Sequence, residues 1–382
     1  MKIKRDFIDQ CIVSILNQYD RQSKPIDVFL SHFFRAHRSI GSKKRREICE
    51  IIYFLIRWHS LIDYFSEAPK GWENRLAIYR SGFLPENYLN KDVIPHHVRL
   101  SFPKPYYDLL AKQYSRDQLE EICLTSNEMA PTTIRINPMK TTRRKLIESL
   151  QDRFEISPTT QSELGICFQK KTNFFAMEEF KQGLFEVQDE GSQLVADLVN
   201  PKPQDHVLDF CAGSGGKTLG FAHKLKGTGQ IYLYDIRSQA LKQAKKRMQR
   251  AGIQNAQIIT HEKQWAPLIG KMDWILLDVP CSGSGTLRRN SDMKWKFREQ
   301  QMQELIAEQR KIFERALLYL KKDGKIVYST CSLFQQENGD QIDYFQKHFP
   351  IELAQEPCSW LPQKGGMDGF FAAVCKYKSV LS

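Results

Sequence analysis

Two cysteines and an aspartate define the chemistry open to this chain. The apolar run Trp274 to Leu277 has the pattern of a buried parallel strand and ends in Asp278. It is followed by Pro280-Cys281, the small-residue loop Ser282-Gly-Ser-Gly285, and then Arg288 and Arg289. A second run, Lys325-Ile-Val-Tyr-Ser-Thr330, delivers Cys331. In open α/β sheets, ligands bind beyond the carboxyl ends of the strands, which is where both cysteines would lie. Asp278 can accept hydrogen bonds from a base edge or act as a proton partner. Arg288 and Arg289 suit phosphates, and nearby arginines would favour a thiolate nucleophile. The blander alternatives are a satisfied turn aspartate and two structural thiols, the usual fate of cysteine. Thr330 and Ser332 can fix the neighbours of Cys331, and Glu337-Asn338 can open the next helix.

A third stretch, His206-Val-Leu-Asp-Phe-Cys-Ala-Gly-Ser-Gly-Gly-Lys-Thr218, reads as a strand, a glycine-rich turn and a helix start. Gly213, Gly215 and Gly216 permit tight turning, and a helix N-terminus offers free N–H groups. Gln230 to Asp235 is a further strand ending in an acid, 26 residues after Asp209. At that offset an acid can bind the ribose hydroxyls of an adenosine cofactor. Gly216-Lys217-Thr218 also resembles the end of a phosphate-binding P-loop. That motif needs glycine five positions earlier, where Cys211 stands, which disfavours a nucleotide hydrolase. An NAD dehydrogenase is open on fold alone and leaves the cysteines unexplained.

Strands and helices alternate through this part of the chain. Strands are expected at His206–Phe210, Gln230–Tyr234, Ala256–Thr260, Trp274–Leu277 and Lys325–Ser329. Helices are expected at Lys217–Leu225, Ser238–Ala251, Phe297–Leu320 and Asn338–His348. The alternation predicts a parallel, doubly wound sheet, entered by an amphipathic helix over Gln188–Asn200. Upstream lies a small α+β module. Strands are expected at Ala130–Asn137, Gly165–Phe168 and Asn173–Met177, with a basic helix at Lys140–Leu150. Arg135 either faces RNA from this sheet or is an ordinary exposed strand residue. Residues 71–125 read as short helices broken by prolines.

The first 70 or so residues read as helices, with apolar stripes through Phe7, Cys11, Ile15 and Leu16, through Val28, Phe29, Phe33 and Phe34, and through Ile48, Ile51, Ile52 and Leu55. Between the second and third stripes, Arg35 to Arg46 carries six Lys and Arg side chains. This segment is either a phosphate contact or a solvated charged turn. With 382 residues, two or three domains are expected. The formal charge of +12 favours a polyanionic partner, nucleic acid first. No apolar run reaches the ~18 residues of a membrane span, and Met1 to Asp6 lacks the apolar core of a signal peptide. Nine scattered cysteines without Cys-x-x-Cys or zinc-like pairing predict free thiols, a cytoplasmic setting and no metal.

Three motifs together resemble the Sun/RsmB family of S-adenosylmethionine-dependent RNA cytosine-5 methyltransferases. They are Asp209 to Thr218, Asp278-Val-Pro-Cys-Ser-Gly-Ser-Gly285, and Ser329-Thr-Cys-Ser332 with Glu337-Asn338. Gln188 to Gln193, Arg288 to Trp295 and Gly365 to Phe371 also look like the family's. The likeness covers about residues 125–378, and the helical N-terminus is similar to a NusB-like RNA-binding domain. It implies an α/β fold: a Rossmann-like methyltransferase domain (186–382), preceded by a small α+β RNA-binding module (126–185) and an all-helical domain (1–125). It implies S-adenosylmethionine as cofactor, held by Cys211, Ala212, Gly213, Ser214, Gly215, Gly216 and Lys217 with Asp235, Glu262 and Asp278. It also implies that Cys331 adds to cytosine C6, that Asp278 holds the base edge, and that Cys281 helps remove the C5 proton and release the adduct. The base must leave any stack, so a single-stranded or loop cytosine is expected. The expected partner is RNA, ribosomal (16S) ahead of transfer RNA, with the chain acting as a monomer. Two departures stand out. Position 214 is Ser where the family usually has Pro, and Glu262 only approximates the family's acid after the third strand. Two rivals remain at this point: a DNA cytosine methyltransferase with Cys281 as nucleophile, and a non-catalytic ribosome assembly factor.

Overall fold

The structure is a computed structural model that describes residues 6–20, 22, 24–67, 70–170 and 172–379. Met1 to Arg5, part of the segment read for a signal peptide, lie outside the described residues. The chain forms two compact units. One holds the residues up to Met129 together with Thr286–Phe297. The other holds Ala130–Gly285 and the residues from Arg298 onward.

The first unit is helical. Helices Phe7–Tyr19, Ile26–Ala36, Ser42–Arg57, His59–Phe65 and Trp72–Arg80 pack one core, and the third expected stripe is fully buried. In the first two stripes Phe7 and Val28 are exposed, and the buried faces run instead through Ile8, Ile12, Ile15 and Leu16 and through Ile26, Leu30 and Phe34. Thr286–Phe297 joins this unit through polar side chains. Asp292 accepts from the Tyr19 hydroxyl (2.5 Å), Lys294 donates to Asn127 Oδ1 (2.5 Å), and the Trp295 indole donates to the Ile56 carbonyl (2.7 Å). Arg288 is 2% exposed, and its carbonyl accepts from Arg57 (3.0 Å). A guanidinium so enclosed cannot meet a phosphate, which corrects the expectation for Arg288. Arg289 is exposed.

The second unit carries two sheets. The smaller is fully antiparallel in the order β2-β3-β1-β4: β1 (Thr132–Ile136), β2 (Ile156–Pro158), β3 (Gly165–Phe168) and β4 (Phe185–Val187). The strand expected at Asn173–Met177 is instead a 3-10 turn followed by the short helix Glu178–Lys181. Phe174, Met177 and Phe180 all enter one core, and their spacing of three is helical rather than alternating.

The larger sheet runs β10-β12-β9-β8-β5-β6-β7, with β11 also paired to β12. Its strands are β5 (His206–Asp209), β6 (Gln230–Leu233), β7 (Ala256–Ile258), β8 (Met272–Asp278), β9 (Leu320–Thr330), β10 (Ile351–Leu353), β11 (Cys358–Trp360) and β12 (Phe370–Tyr377). Five of the strands, from β9 to β7, are parallel as expected. The sheet as a whole is mixed, because β12 is antiparallel to both β9 and β10. An antiparallel neighbour needs no crossover helix, and none of the chain between β10 and β12 is helical. Helix Ser238–Ala251 falls on its expected bounds and buries Leu241, Ala244, Met248 and Ala251. The helix expected at Lys217–Leu225 is one short turn, Thr218–Phe221, continued as 3-10. The long helix spans Glu299–Leu317, shorter than expected, because β9 already begins at Leu320, paired with Met272.

Candidate active site

Adjacent parallel strands bring the cysteine motifs together. β8 and β9 are in register with Asp278 opposite Ser329, so the segments leaving them run on side by side. The Cys281 and Cys331 sulfurs end 3.4 Å apart, both half-buried and neither in a disulfide. The Cys331 carbonyl accepts from Gly285 N–H (2.9 Å) and the Gly285 carbonyl from Gly369 N–H (2.8 Å). A Cβ on Gly285 would lie 2.2 Å from the Gly369 carbonyl oxygen, so only glycine allows this approach.

Behind the cysteines sits Glu337, fully buried. One carboxylate oxygen accepts from Ser282 N–H (2.9 Å) and Gln309 (3.1 Å). The other accepts from the hydroxyls of Ser282 and Ser332, both at 2.5 Å. Ser282 and Ser332 each directly follow a cysteine, so a single carboxylate ties the two loops together. Asn338 braces the Cys331 segment alone, accepting from the Thr330 hydroxyl (2.6 Å) and donating to the Ser332 carbonyl (2.9 Å). From the sequence, Glu337-Asn338 reads only as a helix start, and nothing local reveals that its carboxylate turns inward.

Asp278 accepts from the Lys217 ammonium (2.6 Å) and, weakly, from the Ser329 hydroxyl (3.3 Å). Lys217 is buried, which opposes its charge, but Asp278 and then Cys331 more than offset that and its pKa is raised. The cation of the cysteine site within this unit is thus Lys217, assigned from the sequence only to the cofactor turn. The Cys281 thiol is pushed well above its ordinary value by its contact with Cys331, by burial, and by the nearby Glu337 carboxylate.

The glycine turn adjoins this cluster. Gly213 and Gly215 take positive φ (+53° and +78°). Asp235 accepts from Gly213 N–H (2.8 Å) and pairs with Arg237. Burial opposes its charge, but Arg237 and the two backbone donors hold its carboxyl below the usual range. Asp209 is fully enclosed, one oxygen accepting from Thr218 (2.6 Å) and the other, Oδ1, without a partner. Burial pushes its carboxyl up to about 7. Cys211 is driven well above its ordinary value, first by burial and then by the neighbouring carboxylates. Ala212 donates to the Tyr234 carbonyl (2.8 Å). Glu262 is exposed in a 3-10 turn after β7, where Gln264 rather than Glu262 accepts from the Thr260 and His261 amides (both 2.9 Å).

Arg135 corrects another expectation. It is 3% exposed and faces no solvent or RNA. Its guanidinium bonds Gln188 and donates to the Gly216 carbonyl (3.0 Å), and burial pushes its pKa down to about 10. Ser214, at the position where the family usually has proline, accepts from Arg247 through both its carbonyl (3.0 Å) and its hydroxyl (2.7 Å).

The comparisons with known proteins decide the family. Residues 196–376 match the family model described as 16S rRNA methyltransferase RsmB/F, and residues 102–174 match its companion ferredoxin-like domain. The probable ribosomal RNA small subunit methyltransferase B of Synechocystis is 31% identical over 76% of this chain and 70% of its own length. The chain belongs to the RsmB/F family. The Vibrio cholerae ribosomal RNA small subunit methyltransferase B is 32% identical over 78% of this chain and 70% of its own. A methyltransferase homologue from Pyrococcus horikoshii shares the fold, with TM-score 0.66, 24% identity, and coverage of 74% of this chain and 97% of that one. The RsmB/F chain is therefore an RNA methyltransferase with the expected mixed architecture of helical region, ferredoxin-like sheet and methyltransferase sheet. Among the described residues, no helix is long and apolar enough to cross a membrane, and no group of His, Cys, Asp and Glu could hold a metal ion.

Proposed function

We propose that the chain methylates C5 of a cytosine in 16S ribosomal RNA, using S-adenosylmethionine and a covalent bond between Cys331 and cytosine C6. The observation that carries this reading is the pair of cysteine sulfurs 3.4 Å apart, with the Lys217–Asp278 pair beside them. The domain reading accompanies it: a helical RNA-binding domain over 1–125, a small module over 126–185 and the catalytic domain over 186–382, working as a monomer in the cytoplasm.

The chain's residues fit the cofactor. The Gly213–Gly216 turn offers the amides of Ser214 and Gly216, those of Gly213 and Gly215 being bonded to Asp235 and to the Ala212 carbonyl. Asp235 offers a carboxylate for ribose hydroxyls, and the unpartnered Oδ1 of Asp209 a buried polar group at the base of the turn. Cys211, Ala212, Lys217 and Glu262 complete the set taken from the family likeness. When bound, S-adenosylmethionine supplies an electrophilic methyl group.

Cytosine C5 is a poor nucleophile. Attack of the Cys331 thiolate on C6 forms a C–S bond and makes C5 enamine-like. Asp278 holds the cytosine edge, and Lys217, kept charged by Asp278, orients that carboxylate. After methylation the C5 proton must leave so that the C5–C6 double bond re-forms and Cys331 departs as thiolate. Cys281 suits this step. While Cys331 is free, its contact holds the Cys281 proton on. Once Cys331 is bonded to C6, the contact with it is gone while burial and Glu337 remain. Cys281 then gives up its proton to solvent more readily than in the free site, and its thiolate can take the C5 proton.

The test incubates Cys331→Ala, Cys281→Ala and parent protein with labelled S-adenosylmethionine and either small-subunit ribosomal RNA or transfer RNA, followed by a denaturing gel. Loss of transfer in Cys331→Ala, with a trapped protein–RNA adduct in Cys281→Ala, supports the reading, and the labelled RNA names the substrate. Loss of adduct in Cys281→Ala alone reverses the roles. RNA binding without transfer by any form, parent included, would mean an assembly factor.

A further inference from the structure

We infer that Arg135 and Glu186, a cross-strand pair of the ferredoxin-like sheet, are positioning residues of the cofactor site: they hold the Gly213–Gly216 turn, with Glu186 acting through Arg247. The inference rests on the reading that this turn binds S-adenosylmethionine.

Arg135 on β1 and Glu186 on β4 are register partners and both are buried, at 3% and 5% exposure. From this pair two guanidinium groups reach the turn. Arg135 donates to the Gly216 carbonyl (3.0 Å). Glu186 pairs with Arg250 and accepts from Arg247 (3.1 and 3.2 Å), and Arg247 in turn donates to the Ser214 carbonyl and hydroxyl. The carbonyls on either side of Gly215 are thus both taken by cations anchored in the other sheet. Gly215 itself is pressed against helix Ser238–Ala251, since a Cβ there would lie 2.6 Å from Met248 and 3.3 Å from Ala244.

Peptide planarity gives this grip its consequence. Fixing the Gly216 carbonyl toward Arg135 fixes the Lys217 N–H in the opposite direction, and the Ser214 carbonyl likewise fixes the Gly215 N–H, which donates to the Ala212 carbonyl (2.8 Å). The clamp therefore sets the amide directions of the turn before any ligand arrives, and a preformed site loses less ordering entropy on binding. It also fits the residue at 214. Proline would fix φ from within, whereas serine leaves that torsion free, and here its hydroxyl and carbonyl are held from outside by Arg247.

The Arg247 side chain is 20% exposed and Glu186 keeps Arg250 as a partner without it, so its replacement should leave the fold intact. Arg247→Met is expected to weaken S-adenosylmethionine binding about tenfold by calorimetry without RNA, as for loss of charge-assisted hydrogen bonds. Hydrogen exchange should rise at residues 213–217 in the cofactor-free protein but not in the strands of the large sheet. In turnover the loss should fall on KM for S-adenosylmethionine, and Arg247→Lys, which keeps one donor, should recover part of it. Glu186→Gln should act in the same direction. Parent-like binding by Arg247→Met, with Asp235→Ala abolishing it, would overturn the clamp alone. Parent-like binding by Asp235→Ala as well would overturn the cofactor reading of the turn. A rise in exchange spread over the whole unit, with a lowered Tm, would make Arg247 a general stability contact and overturn the positioning role.

Discussion

Asp278 and Ser329 are opposed on adjacent parallel strands, and that register carries Cys281, three residues past one, and Cys331, two residues past the other, to a sulfur separation of 3.4 Å. A disulfide needs about 2.05 Å between sulfurs, so the pair is close enough to join with a small loop shift but is held open as thiols. Mild oxidation with diamide is expected to close this bond and abolish methyl transfer, with recovery on adding dithiothreitol. Peptide mapping checks it. A Cys281–Cys331 cross-link should appear in step with lost activity, and Cys281→Ala, which cannot form it, should show no such cross-link.

Glu337 keeps the two loops in that relation. Glu337→Gln replaces one acceptor oxygen with an NH2 group facing serine donors, inside a fully buried site. Such a mismatch costs about 1–3 kcal/mol, read as a lower midpoint in urea unfolding. Activity should fall further than stability explains, because both cysteine loops lose their shared anchor. The sulfur separation can be followed by the rate of diamide cross-linking, which should slow in the variant. An unchanged cross-linking rate would mean that the loops hold their relation without Glu337.

Much of this arrangement was legible in sequence, for identifiable reasons. Parallel strands buried on both faces give continuous apolar runs, and β5, β6 and β8 announce themselves with an acid or acidic turn at the end. Helix Ser238–Ala251 has a clean 3.6-residue stripe. What the sequence concealed depends on partners distant in the chain. Arg135 has the alternating neighbours of any strand residue, and only the packing of the small sheet reveals that its guanidinium ends on Gly216. Lys217 pairs with Asp278, 61 residues away, which no local pattern encodes. Asn173–Met177 misled because a short apolar segment fits a strand or a helical turn equally well.

Asp209 predicts a pH dependence of stability. Its carboxyl is raised to about 7 in the folded, ligand-free protein, above the ordinary value of about 3.9 in an unfolded chain. Between these values the folded state holds the proton more tightly, so stability is greatest below about pH 4 as far as this group is concerned. It declines as pH rises and levels off above pH 7. The unpartnered Oδ1 is consistent with a protonated acid that spares a buried charge. Asp209→Asn, which imitates the neutral acid, should remove the dependence. Urea unfolding at pH 5 and pH 8 should show the parent losing stability relative to the variant, by an amount on the order of 1–3 kcal/mol. A parallel pair of curves would place the Asp209 pKa near its ordinary value.

The basic segment at the start of helix Ser42–Arg57 divides by what each side chain already does. Arg45 donates to the Ile40 carbonyl (2.6 Å) and reaches those of His37 and Arg38 (both 3.4 Å), so its guanidinium is engaged within the turn. Lys43 and Lys44 are exposed in the first helical turn and Arg46 directly after it, so three exposed cations lie near the positive end of the helix dipole. That placement disfavours the helix by itself and is relieved by an anion. Replacing Lys43, Lys44 and Arg46 with Gln should weaken binding of ribosomal RNA fragments. It should also reduce the slope of log K against log salt by roughly 0.7 per lost phosphate contact. Arg45→Met should instead lower the thermal stability of the helical unit and leave the slope unchanged. Equal slopes for the triple variant and the parent would mean that these cations are simply solvated, and that RNA is held elsewhere on the chain.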